Sequence, residues 1–76
     1  MKIKIYYIGI KLTNYESDSY IEVPDNCSAE QLLAFIGVPE NRRKAMIVMI
    51  NDEPIWNATK VKENDYVKLF PRMGGG

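Results

Sequence analysis

Few residues of this chain have types or spacing that could do chemistry. The sequence ends Pro71-Arg72-Met73-Gly74-Gly75-Gly76. A segment without Cβ atoms adopts backbone angles closed to other residues and can reach where bulk cannot. Glycine-rich ends also occur in plain flexible tails, so the glycines need support from what precedes them. Cys27 is the single thiol and there is no histidine. One cysteine cannot form an internal disulfide, a tetrathiolate zinc site or a cysteine-held iron–sulfur cluster. Without histidine, the common catalytic triads and most catalytic zinc sites lose their usual base or ligand. Cys27 directly precedes a helix start signal, which favours a small buried hydrophobe over a reactive thiol. Arg42-Arg43-Lys44, flanked by Glu40 and an apolar run, reads as a solvated corner rather than a nucleic-acid contact. Trp56 reads as a partly buried lid on the core.

The elements that must position these residues fit one small domain. Seventy-six residues bury one core at most and leave no room for a deep catalytic cleft, so the expectation is a non-catalytic protein. Ten basic residues balance ten acidic ones, giving no net field toward nucleic acid or an anionic membrane. The start Met1-Lys2-Ile3-Lys4-Ile5 alternates charge with apolar residues, unlike a signal peptide or a spanning helix. A cytoplasmic protein is expected.

Period-two alternation from Lys2, followed by the apolar run Tyr6 to Ile10, predicts a first strand, and Tyr20 to Val23 a second, joined as a hairpin. Ser28 with Gln31 has the capping-box spacing, and Cys27 can staple onto Leu32. Ala29, Leu32, Leu33 and Ile36 then form one apolar helical face, ended by Gly37 and Val38-Pro39. Met46 to Ile50 is continuously apolar, as in a strand buried on both faces and placed centrally. Asn51-Asp52 is a turn, Glu53 to Trp56 a short edge strand, and Asp65 to Phe70 a last strand ended by Pro71. Val67 and Leu69 share one face of that strand; Tyr66, Lys68 and Phe70 share the other. One core is expected from Leu32, Leu33, Ile36, Ile47, Val67 and Leu69. The fold class is α+β, one main helix on a mixed sheet of about five strands. Residues 1–70 form the domain and 71–76 a C-terminal tail.

This order of elements resembles the ubiquitin-like β-grasp sulfur carriers of the ThiS/MoaD type, which include the thiamine sulfur carrier and the small subunit of molybdopterin synthase. The resemblance covers the whole chain and is most specific from Asn64 to Gly76: a turn, a last strand, a proline and terminal glycines. Ile50-Asn51 with Ile55 is similar to the family's mid-chain segment. The family often has glycine where Asp52 and Asn64 stand, but aspartate and asparagine best tolerate positive φ among the other residues.

The resemblance implies that Gly76 is the reactive residue. An ATP-dependent E1-like enzyme adenylates its carboxylate, a sulfur donor converts it to a thiocarboxylate, and a sulfur-accepting synthase receives the sulfur. Gly74 and Gly75 let the tail enter a narrow tunnel. No cofactor is bound, ATP and sulfur donor being used by the partner. Tyr66, Phe70, Arg72 and Met73 are candidates for partner binding on the sheet face opposite the helix. Leu69-Phe70-Pro71 and the chain length lean toward molybdopterin over thiamine synthesis. A protein modifier conjugated through Gly76 and a non-carrier interaction module are the alternatives, because fold alone does not separate them.

Overall fold

The computed structural model describes residues 1–72. Strands β1 (Lys2–Tyr7) and β2 (Ser19–Glu22) pair antiparallel, with Ile3 opposite Ile21. Helix α1 (Ala29–Phe35) and a short α2 (Glu40–Arg43) follow. The chain then forms β3 (Met46–Ile50), β4 (Glu53–Pro54) and β5 (Tyr66–Pro71). The sheet order is β2-β1-β5-β3-β4. β5 lies parallel to β1 and antiparallel to β3, which makes β5 the central strand and leaves the tail to emerge from the middle of the sheet.

Local chemistry explains α1. The Ser28 hydroxyl accepts from the Gln31 N–H at 3.2 Å, while the Gln31 side chain accepts from the Ser28 N–H at 2.9 Å. This reciprocal box satisfies two of the helix's orphan donors. The next two donors, Ala29 and Glu30 N–H, bond the Thr59 and Asn57 carbonyls, so the connector after β4 caps the helix as well. At the other end Gly37 has φ +98°. Its N–H bonds Ala34 O and the Val38 N–H bonds Leu33 O, the paired bonds of a Schellman motif.

The helix lays Ala29, Leu32, Leu33 and Ile36 against Ile3, Ile5, Val48, Val67 and Leu69 of the sheet, all buried. Cys27 joins them at 4% exposure. Asn51 and Asp52 both take positive φ, 52° and 71°, and form the two-residue turn between β3 and β4; Asn64 takes 70°. Asparagine and aspartate thus serve where glycine is the usual choice.

Several expectations need correction. Ile47 is 37% exposed, on the outer face: β3 alternates buried and open positions because no second layer covers that face of the sheet. For the same reason β3 is not buried on both faces, and the central place belongs to β5. Trp56 is 84% exposed rather than a core lid. β4 stops at Pro54, and a turn in which Thr59 bonds both the N–H and the carbonyl of Trp56 leaves the indole outside. Finally, Pro71 does end the last strand, but as the final residue of β5 rather than the first residue after it.

Candidate functional site

The described part of the site is the root of the tail. Arg72 N–H donates to Ala45 O at 2.5 Å and Asn51 N–H to Tyr66 O at 2.9 Å. Bonded pairs alternate along an antiparallel ladder, so Met46 and Pro71 face each other as a non-bonded pair. The missing proline N–H therefore costs the β3 ladder nothing. On the other side, the Pro71 ring packs against Gly9, whose φ is +79°; a Cβ there would lie 2.7 Å from Pro71 Cγ. Gly9 is a requirement of the tail root that the sequence pattern did not single out, since a lone glycine after a strand resembles any loop glycine.

The outer face of the sheet carries the candidate docking residues. Strand alternation places Lys4, Tyr6, Tyr66, Lys68, Phe70, Ile47 and Met49 on it, as period two requires. Tyr66 and Phe70 are half-buried, at opposite ends of β5. Phe70 contacts Tyr6 with ring centroids 6.2 Å apart and lies opposite Ile47, giving an apolar patch directly before the tail. Sequence reasoning had placed Ile47 inside, so it missed this partner of Phe70.

Tyr66 sits in a charged surround. Lys4 and Lys68 ammoniums lie 5.3 and 5.1 Å from its ring centroid, and its hydroxyl donates to Asp18 at 3.2 Å. Desolvation, with the bond to Asp18, pushes the phenol above its usual range. Lys68 also bonds Asp52 at 2.8 Å, which holds its ammonium above the ordinary lysine value. The outer face is thus polar and pre-paired around Tyr66 and apolar around Phe70.

Arg72 is exposed at the edge of this patch. Met73, Gly74, Gly75 and Gly76 lie outside the described residues. Cys27 is a core residue, its thiol pushed upward by burial, consistent with a small hydrophobe beside α1. In the basic corner, α2 forms where a plain polar connector was expected, and Arg43 Nε donates to Val38 O at 3.0 Å, so one of the three cations braces the turn after α1. No helix among the described residues is long and apolar enough to cross a membrane.

A mixed five-stranded sheet with parallel central strands β1 and β5, crossed by one helix, is a β-grasp domain. The ThiS family model matches residues 6–76, and the chain belongs to that family, the ubiquitin-like sulfur carriers its ending resembles. Among solved structures, SAMP1 from Haloferax volcanii superposes with a TM-score of 0.65 at 18% identity, over 100% of both chains. A chain of the complex of subunits 1 and 2 of the molybdopterin-converting factor from Helicobacter pylori superposes with a TM-score of 0.61 at 22% identity, again over 100% of both. No curated protein sequence matches.

Proposed function

We propose that this sulfur carrier works through the carboxylate of Gly76. An E1-like partner joins that carboxylate to the α-phosphate of ATP, with pyrophosphate leaving. A sulfide equivalent from the sulfur donor then displaces AMP to give a thiocarboxylate, which passes its sulfur to a synthase. A free carboxylate is a poor electrophile, and adenylation supplies the leaving group; the protein itself is the co-substrate and contributes no catalytic side chain. The observation that carries this reading is the family match running through Gly76, together with a central strand that delivers Arg72 to the end of the sheet four residues before it. Four residues span at most about 14 Å beyond the sheet.

The apolar patch of Phe70, Tyr6 and Ile47, with Tyr66, Arg72 and Met73, is the surface the partners grip. Aromatic anchors beside a reactive end hold the tail in register with a channel. Molybdopterin synthesis is the pathway favoured over thiamine synthesis, on Leu69-Phe70-Pro71 and on the chain length. Intact-mass spectrometry of protein from its native cells tests the function. A terminal oxygen-to-sulfur exchange supports it; adducts on lysines of other proteins would instead establish a modifier.

A further inference from the structure

The edge of the sheet beside the tail root holds a second surface that the carrier chemistry leaves unused. β4 pairs with only the last half of β3, through Met49 and Ile50. In the β3–β5 ladder the bonded positions are 45, 47, 49 and 51, so Met46 and Val48 direct their backbone groups away from β5, toward the place where β4 would continue. Val48 O accepts from Ile55 N–H at 3.1 Å. Among the described residues no backbone bond reaches the N–H of Val48 or either backbone group of Met46. An unpaired strand edge of this kind is a template for another strand.

This open half-edge lies in a groove of about 630 Å³. Pro54, Ile55 and Trp56 line it together with Arg43, Lys44 and Arg72, with no carboxylate in the lining. The three cations make no ion pair among the described residues. An indole 84% exposed is a large apolar surface for a small domain to leave in water.

From these observations we infer that the groove is a docking site for an extended acidic segment of a partner protein, added as a strand along Met46 to Val48. Main-chain bonds to the free edge supply the register, Trp56 covers an apolar side chain, and acidic side chains meet Lys44 and Arg72. The occupant is a peptide and not a nucleic acid because the unpaired groups are strand donors and an acceptor, which bases and phosphates do not match in spacing. The site stands whether or not Gly76 carries sulfur. Because Arg72 lines both the groove and the root of the tail, an occupant lies beside the point where the tail leaves the sheet.

Trp56 is the only tryptophan, so its emission reports occupancy directly. The probe is a synthetic peptide, acetyl-Asp-Glu-Leu-Val-Leu-Asp-Glu-amide, titrated into the full chain, with a fluorescein-labelled copy for anisotropy. A saturable blue shift is expected, with amide shifts at Met46 and Val48 in a nitrogen–proton correlation spectrum. Methylating alternate backbone nitrogens of the peptide should abolish binding while leaving the protein unaltered. Lys44→Glu, at an exposed position, should weaken it about tenfold by replacing attraction with repulsion. An unchanged Trp56 emission, binding indifferent to backbone methylation or to Lys44→Glu, or saturable binding of oligodeoxythymidine with the peptide inert would each overturn the inference.

Discussion

At the scale of single residues, the positions that support the tail root are those with no freedom to change. Gly9 has positive φ and its α-carbon faces the Pro71 ring, so Gly9→Ala should cost about 1–3 kcal/mol from backbone strain and the clash together, visible as a lower urea midpoint. No spacing rule exposed Gly9, because its constraint comes from a residue 62 positions away. Cys27 was legible, because a residue just before a capping box has a known hydrophobic task. Its buried thiol should resist alkylation in native protein at pH 8 and react at once in denaturant. Burial raises the folded thiol's pKa above the 9.0 of an exposed one. The unfolded chain therefore sheds its proton first as pH rises, and the thiol's contribution to stability, complete below pH 9.0, declines above it. The proposed docking surface includes Phe70. Phe70→Ala should weaken binding to the activating enzyme by about 1–3 kcal/mol in calorimetry, and equal affinity would move the docking surface elsewhere.

At the scale of elements, α1 was readable because its signals are local: cap, staple, apolar stripe and glycine stop all lie within eleven residues, Cys27 to Gly37. The strand β3 was misread because a continuous apolar run does not say how many layers cover it. Met46, Val48 and Ile50 face α1, whereas Ile47 faces outward with Phe70. The two faces should separate by mutation. Leu33→Ala removes a fully packed helix side chain and should cost roughly 2–5 kcal/mol, while Ile47→Ala should cost less than about 1 kcal/mol in the same denaturant titration. Similar costs for the two would return Ile47 to the core. Ser28→Ala breaks the capping box and should cost about 0.5–2 kcal/mol. α2 escaped notice because four residues behind a proline are too few to show a period.

At the scale of the molecule, the β-grasp topology places the last strand between β1 and β3, so the segment that the family model matches through Gly76 springs from the most firmly held strand of the sheet. That arrangement was legible because strand, helix and turn signals agree in order along the whole chain and the terminal glycines follow them at the family's spacing. The pairing that holds Arg72 to Ala45 was not, since it depends on a register between segments distant in sequence. The central claim is that function resides in the carboxylate of Gly76, and the most direct test adds one alanine after it. The added residue displaces the reactive carbonyl by about 3.5 Å and introduces a Cβ where a channel for glycine has no space. It lies past the last strand, so folding stability should be almost unchanged. With ATP, sulfide and the activating enzyme, and with the extension verified by intact mass, thiocarboxylate formation should fall to a small fraction of the unextended protein's rate. An extended protein that gains the thiocarboxylate at the normal rate would contradict the account.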